Sequence, residues 1–123
     1  MYGAETWTLS EALSKTLDGT YTRLLRTCMG VHYSEHRTNQ HLYGDLLPLS
    51  EVLRQRRLQL AGHCKRAKPP VADVLLWHPH GQRPRGRPKL TFVDQLCKDS
   101  GTKSLDELQR LMEDRKQWQS VWK

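Results

Sequence analysis

The sequence of 123 residues predicts an all-α fold, a small bundle of five or six short helices with an Arg/Pro/Gly-rich loop. Apolar residues recur at steps of three and four along most of the chain. Ser or Thr precedes several of these runs as a potential N-cap, and Gly or Pro follows them. With 37% hydrophobic residues and a mean hydropathy of −0.75, we expect a modest core and marginal stability unless the chain packs on something larger.

The N-terminal third of the chain contains the first predicted helix. Residues 1–8 are rich in β-forming side chains and are expected to be the remnant of a preceding strand. A helical period begins at Leu9, and Gly30 predicts its C-terminal end. Gly19 lies within this helix and weakens it by roughly 1 kcal/mol relative to Ala. The apolar positions are Leu9, Leu13, Leu17, Tyr21, Leu24 and Cys28.

Two further helices are predicted before the Pro69-Pro70 pair. A short one runs from an N-cap at Thr38 to Gly44. The next begins either with Pro48 in its first turn or with Ser50 as its N-cap, and it must end before Pro69. Its apolar positions are Leu49, Val52, Leu53, Leu60, Cys64 and Ala67.

The second half of the chain contains a predicted loop between helices. Val71–Trp77 forms one or two helical turns that complete a helical region over residues 9–77. Residues 78–90 contain two His, three Pro, two Gly and four Lys/Arg, which predicts a basic loop. Residues 91–123 are then a helical hairpin. Its signals are a Thr91 cap, a break at Gly101, a capping box from Ser104 to Glu107, and a last helix with the apolar stripe Leu105, Leu108, Leu111, Met112, Trp118 and Trp122.

The basic residues are concentrated in one segment of the chain. Between Arg54 and Lys89 lie ten Lys/Arg and the single acid Asp73, a net charge of +9, whereas the rest of the chain carries −2 of the total of +7. A solvated helix normally mixes signs, so this segment is expected to face a polyanion, with nucleic acid the leading candidate. The predicted contact residues are Arg54, Arg57, Lys65, Arg66, Lys68, Arg83, Arg85, Gly86, Arg87 and Lys89.

The loop and the third helix each allow two interpretations. Pro84-Arg85-Gly86-Arg87-Pro88 resembles the AT-hook, a short motif that binds the minor groove of A·T-rich DNA; the alternative is a solvated cationic linker. The arginines of the third helix can follow a duplex backbone, or their stems can merely cover apolar surface. Trp77, next to this segment, is the one tryptophan placed to stack on a base.

Neither a metal site nor a catalytic site is indicated. The cysteines lie on or near apolar stripes, where a free thiol packs as a small hydrophobe, and the histidines lack the paired spacing of zinc ligands. There is no nucleophile elbow, phosphate-binding Gly loop or carboxylate pair. We therefore predict no catalytic residue, metal or cofactor, and solvated or capping roles for the scattered carboxylates Asp18, Asp45, Asp94 and Asp99.

The cellular setting is predicted from charge and cysteine content. Three widely spaced cysteines argue against a disulfide framework, and the sequence has neither a membrane-length apolar run nor a secretory signal. We expect an intracellular protein, and the pI near 9.6 favours the nucleus.

An ordered set of strings along the chain resembles the region downstream of the polymerase core in reverse transcriptases of non-LTR (LINE-like) retrotransposons. The resemblance runs nearly end to end. The strings are Tyr2-Gly-Ala-Glu-Thr-Trp-Thr-Leu9, Leu24-Leu25-Arg26, Met29-Gly30-Val31, Arg37-Thr38-Asn39, Leu49-Ser50-Glu51-Val52-Leu53-Arg54-Gln55-Arg56-Arg57-Leu58, Ala61-Gly62-His63, Gly81-Gln82-Arg83, Arg85-Gly86-Arg87-Pro88 and Asp114-Arg115-Lys116-Gln117-Trp118.

This resemblance implies a helical thumb and the connector after it, which hold the template–primer duplex during RNA-directed DNA synthesis. By resemblance, the third helix and the loop would contact phosphates of an RNA–DNA hybrid or of target DNA, largely independently of sequence. The catalytic aspartates of the polymerase have no counterpart here, so polymerase activity is not expected of this chain, and a polymerase core is an expected partner. The alternatives are a helical protein-interaction module and a retroelement remnant without function.

Overall fold

The computed structural model describes residues 2–77, 81, 85–86 and 89–123, and these residues form seven α-helices and no strand. The all-α prediction is therefore confirmed. No helix within the described ranges combines the length and the apolar character needed to cross a bilayer. The helices are α1 (Glu11–Cys28), α2 (Asn39–Tyr43), α3 (Leu49–Lys65), α4 (Val71–Leu75), α5 (Phe92–Ser100), α6 (Leu105–Glu113) and α7 (Arg115–Trp122).

The chain divides into two compact units. Leu9–Leu53 forms one unit, and Met1–Thr8 with Arg54–Lys123 forms the other, so the division falls within α3. We call them the α1 unit and the basic unit. The predicted boundaries of the regions 9–77, 78–90 and 91–123 stay predictions, since the residues around 78 and most of 78–90 lie outside the described part of the chain.

A carboxylate at the middle of α1 holds the α1 unit together. Asp18 accepts hydrogen bonds from the Ser50 backbone N–H (2.8 Å) and hydroxyl (2.6 Å) in the first turn of α3. Thr22, one turn after Asp18, shares a hydrogen bond of 2.8 Å with the Tyr43 hydroxyl at the end of α2. Ser50 is therefore not the N-cap of α3, which begins one residue after Pro48. Its amide is satisfied from another helix.

The core of the basic unit is formed by α3, α5, α6 and α7. These helices place on it the fully buried side chains Leu58, Ala61, Leu96, Leu108, Met112 and Trp118. Thr91 caps α5 by accepting from the Asp94 amide (3.1 Å), and the Asp94 carboxylate accepts from the Thr91 amide (3.0 Å). Ser104 caps α6 by accepting from the Glu107 amide at 3.2 Å. Both N-caps occur where the sequence predicted them, but the capping box predicted for Ser104 and Glu107 is only half formed, because the Glu107 carboxylate accepts from the Lys103 amide (3.2 Å).

Two predicted elements take a different conformation. The strand expected within residues 1–8 is replaced by a 3-10 turn, Ala4–Thr6. Gly3 has a φ of 66°, and its carbonyl accepts from both the Thr6 amide (3.1 Å) and hydroxyl (2.7 Å). The last predicted helix is two helices, because Asp114 leaves helical geometry and its carboxylate accepts from the Lys116 amide at 2.8 Å.

Candidate nucleic-acid interface

Arg57 is a structural residue and not a surface contact. Its side chain is buried, with 2% of the residue exposed, and its Nη1 forms an ion pair with the Asp99 carboxylate at the end of α5. Gln95 donates to the other Asp99 oxygen at 2.7 Å. A guanidinium buried against a carboxylate cannot leave it for a phosphate without exposing an unpaired charge, so the prediction for Arg57 is corrected.

Arg54 belongs to the same contact. It is half-buried, and its Nη1 donates to the Asp99 backbone carbonyl at 2.7 Å. Both arginines thus join α3 to the C-terminal end of α5, where a cation is also favoured by the helix dipole. Arg54 therefore has this structural role, and its predicted contact with nucleic acid stays a prediction. The sequence does contain a signal for the burial of Arg57. This residue lies at helical spacing between Leu53 and Leu60 and therefore falls on the apolar stripe of α3.

The remaining predicted contact residues that the structure describes reach the surface. Lys65 is half-buried, and Arg66 and Lys68 are exposed at the C-terminal end of α3 and just beyond it. Arg66 Nη1 donates to the Met112 carbonyl at 2.7 Å, which fixes the position of its guanidinium. Of the predicted loop residues, Arg85, Gly86 and Lys89 are exposed, whereas Arg83 and Arg87 lie outside the described residues.

A groove of about 390 Å³ lies between α3 and α7, and we call it the polar groove. Each helix contributes residues from one face, at spacings of three and four. Its cationic groups are Arg66, one residue past the end of α3, and Arg115 from α7, and His63 of α3 also lines it. The lining residues are Gln59, His63, Arg66, Ala67, Arg115, Trp118, Gln119 and Trp122.

The two indoles of the polar groove are held in place by the core. Trp118 is 1% exposed, and its Nε1 donates to the Leu58 carbonyl at 2.8 Å. Trp122 is partly buried and packs against the core; its Nε1 is buried without a hydrogen-bond partner among the described residues. The sequence prediction of a core role is confirmed for Trp118. Both rings give the groove a rigid wall on which the polar side chains stand.

Two backbone amides beside the polar groove are already hydrogen-bonded. The Lys116 and Gln117 amides in the first turn of α7 are already used by the Asp114 carboxylate, at 2.8 and 3.3 Å. The guanidinium groups of Arg66 and Arg115 offer further donors to this groove. A guanidinium offers several N–H groups in a planar fork that matches phosphate oxygens, which suits Arg66 and Arg115 to a polyphosphate backbone.

The count of basic residues along the sequence did not identify the residues that α7 contributes to the polar groove. Arg115 lies far outside the Arg54–Lys89 segment, and Gln119 carries no charge. The available signal was the period of α7, in which Arg115, Trp118, Gln119 and Trp122 share one face.

In a neighbouring recess, Arg56 lies near Gln59 and His63 together with Glu5. Arg56 is exposed and was also not predicted as a contact residue.

Metal ligands do not cluster in the part of the chain that the structure describes. No three His, Cys, Asp or Glu side chains there lie close enough to share an ion. All three cysteines are free thiols, with Cys28 exposed and Cys64 and Cys97 half-buried.

The chain is similar to one curated protein of Caenorhabditis elegans described as uncharacterized and transposon-derived. The two are 29% identical over 134 aligned residues, which include 98% of this chain and 48% of the relative. The chain thus spans about half the length of the curated relative that it matches. No family model matches the sequence, and no solved structure matches the chain. The similarity supports a transposon origin.

Proposed function

We propose that this chain binds the phosphate backbone of nucleic acid and is not catalytic by itself. The polar groove is the observation that carries the proposal. It is lined by both Arg66, just past α3, and Arg115 of α7, which are distant in sequence, together with the side chains of Trp118 and Trp122. Arg115 has no ion-pair partner among the described residues. Its charge is therefore available to a polyanion.

Preorganisation favours binding at this groove. The bond from Arg66 to the Met112 carbonyl holds one guanidinium, and α7 holds the backbone of Arg115. A side chain that is already positioned loses less rotamer entropy when it binds. Lys68, Arg85 and Lys89, from the same basic stretch of the sequence, are also exposed. Backbone contacts of this kind carry little sequence information, so binding is largely independent of sequence.

The biological setting is part of the same proposal. The ordered strings and the transposon-derived relative support a role as the post-polymerase region of a LINE-like reverse transcriptase. Its ligand is then the template–primer hybrid or target DNA, its location is nuclear, and a polymerase core is its partner. AT-hook binding in the minor groove of DNA is not required, since the side chains of the polar groove contact phosphates alone.

The test compares two double variants with the same change in net charge. Arg66→Ala with Arg115→Ala removes both groove cations, whereas Lys103→Ala with Arg110→Ala removes two exposed cations that do not line the groove. The ligands are a labelled RNA–DNA hybrid and a DNA duplex, and the affinity is measured by fluorescence anisotropy. A charge-assisted hydrogen bond contributes about 1.5 kcal/mol, so the groove variant should bind roughly 100-fold more weakly.

The single variant Arg115→Ala controls for folding, because Arg115 is exposed and outside the core. It should bind roughly tenfold more weakly with an unchanged circular dichroism spectrum. Equal losses in the groove variant and in the Lys103/Arg110 variant would show that only total charge matters. No measurable binding by the unmodified protein at low salt would reject the proposal.

A further inference from the structure

The recess beside the polar groove has a composition that phosphate contacts do not explain. It has a volume of about 420 Å³ and is lined by Glu5, Arg56, Gln59, Leu60 and His63. Gln59 and His63 also line the polar groove, so the two concave surfaces adjoin each other. We call the recess the Glu5 recess. It offers a hydrogen-bond acceptor as well as donors, whereas phosphate oxygens need donors alone.

One face of α3 connects the Glu5 recess to the polar groove. Arg56, Gln59 and His63 belong to α3, and Arg66 follows its last residue. Successive members of this series are three or four residues apart, which places them along one side of the helix. With a rise of about 1.5 Å per residue, Arg56 and His63 lie about 10 Å apart along the axis. A strand held by Arg66 and Arg115 can therefore continue along this face past the recess.

The turn that contains Glu5 holds this residue at the surface of the basic unit. The 3-10 turn Ala4–Thr6 is closed by bonds from the Thr6 amide (3.1 Å) and hydroxyl (2.7 Å) to the Gly3 carbonyl, and Ala4 is fully buried. Glu5 itself is half-buried. Its carboxylate has no hydrogen-bond or ion-pair partner among the described residues. This positioned acceptor is therefore available to a donor on a ligand.

The chemistry of a carboxylate determines which part of a nucleic acid fits this recess. An ionised carboxylate only accepts hydrogen bonds, so it repels a phosphate, which is also an acceptor and carries the same charge. The donors of a nucleic acid are the ribose 2′-hydroxyl and the nitrogen groups of the bases. In a ligand that is held by its backbone, the hydroxyl lies next to the phosphates, whereas the base edges face the grooves of the duplex. The hydroxyl is also an acceptor, which suits the Gln59 amide.

We infer that Glu5 accepts a hydrogen bond from a ribose 2′-hydroxyl, and that the Glu5 recess thereby makes the site prefer an RNA strand to a DNA strand. Glu5 is then a specificity-determining residue. The inference rests on the proposed backbone binding at the polar groove and adds to it the identity of the sugar. A DNA strand leaves the carboxylate without a donor and close to phosphates, which weakens binding.

The probes are two RNA–DNA hybrids of the same sequence. One has a natural RNA strand, and in the other every 2′-hydroxyl of that strand is replaced by fluorine. The fluorine keeps the duplex geometry of RNA and removes the donor. Affinities for the full chain are measured by fluorescence anisotropy. Glu5→Ala removes the acceptor, and Glu113→Ala is the matched control, because it removes one exposed carboxylate that lines neither the recess nor the polar groove.

The unmodified protein should bind the natural hybrid roughly tenfold more tightly than the fluorinated one, since the fluorinated strand lacks the bond to a charged acceptor. Glu5→Ala should bind both hybrids with nearly equal affinity and keep its circular dichroism spectrum, whereas Glu113→Ala should keep the tenfold preference. Glu5→Gln retains a neutral acceptor and should keep part of it. Arg66→Ala with Arg115→Ala should weaken the binding of both hybrids, which tests the proposed function separately.

Equal and salt-dependent binding of both hybrids by the unmodified protein would overturn this inference and leave the proposed function intact. A tenfold preference that persists in Glu5→Ala would also overturn it. If the loss in Glu5→Ala followed the base sequence of the strand instead of its 2′-hydroxyls, the donor would be a base and the inference would be wrong. No binding of either hybrid would reject the proposed function and this inference together.

Discussion

The indole of Trp118 occupies the space that a side chain at Gly62 would need. A Cβ atom built on Gly62 would overlap Nε1 and Cδ1 of Trp118, far inside contact distance. The same indole donates to the Leu58 carbonyl one turn earlier on α3. Gly62 therefore allows α7 to lie directly on the backbone of α3, and this contact forms the wall of the polar groove.

Gly62→Ala should destabilise the protein in spite of the higher helix propensity of Ala. Trp118 is buried and tied to Leu58, so it cannot move aside freely. Overpacking of this kind costs about 1–3 kcal/mol or more. Gly19→Ala is the matched control, since nothing lies within 4 Å of its added Cβ. It should stabilise α1 by about 0.5–1 kcal/mol.

Urea unfolding of both glycine variants, followed by tryptophan fluorescence, measures the difference. Opposite signs of the change in free energy of unfolding are expected. A stabilised Gly62→Ala variant would mean that α7 does not pack on α3 at this position.

Replacing Arg57 by Met should destabilise the basic unit by about 3–5 kcal/mol, because it leaves the buried carboxylate of Asp99 unpaired. Arg56→Met, at an exposed neighbouring position, should change the free energy of unfolding by less than about 0.5 kcal/mol. A double-mutant cycle with Asp99→Asn should show strong coupling for Arg57 alone. Additive losses at Arg57 and Asp99 would contradict the ion pair.

Salt should weaken nucleic-acid binding in proportion to the number of phosphates contacted. If about four to six phosphates are neutralised, log K should fall with log salt at a slope of roughly −3.5 to −5.5. The Arg66/Arg115 double variant should reduce this slope by about 2, and the Lys103/Arg110 variant should leave it nearly unchanged. Titrations at several salt concentrations test this directly. An affinity independent of salt would rule out backbone binding.

The basic loop provides a separate prediction. Arg85 is exposed, and its neighbour Arg87 lies outside the described residues. Arg85→Ala with Arg87→Ala should weaken binding to A·T-rich and G·C-rich duplexes equally if both arginines contact phosphates. A loss confined to A·T-rich DNA would instead support the AT-hook interpretation. Competition between the two duplexes measures the difference.

Glu35 should titrate at a lower pH than an isolated glutamate. The His32 backbone N–H, 2.9 Å from its Oε1, holds the pKa of this carboxyl below the usual 4.5, and Arg37 at 2.8 Å adds to the effect. Since the folded pKa is lowered, the stabilisation is present above about pH 4.5 and is lost as pH falls through the folded value.

A carbon-detected NMR titration measures the pKa of Glu35. Arg37→Ala should raise this pKa only in part, because the bond from His32 remains and is the larger cause. Complete recovery of the ordinary value in that variant would assign the effect to Arg37 instead.

The positions of several helix ends could be predicted from the sequence because each depends on neighbours within a few residues. Thr38, Thr91 and Ser104 accept from amides three residues ahead, and Gly101 adopts the left-handed conformation that ends α5. The break at Asp114 is also local. It was missed because Leu111, Trp118 and Trp122 keep helical spacing across it, so that the apolar period concealed the cap.

The uses of the arginines were decided by tertiary contacts. Arg57 and Asp99 are 42 residues apart, and Arg66 and Met112 are 46 apart. Composition shows that a charge is present, but not whether a distant carboxylate neutralises it. Arg57 is thus buried against Asp99, whereas Arg115, which was not predicted as a contact residue, lines the polar groove. Whether a side chain is buried or ion-paired depends on how the helices pack against each other. For α3 and α7, the close contact between Gly62 and Trp118 determines this packing.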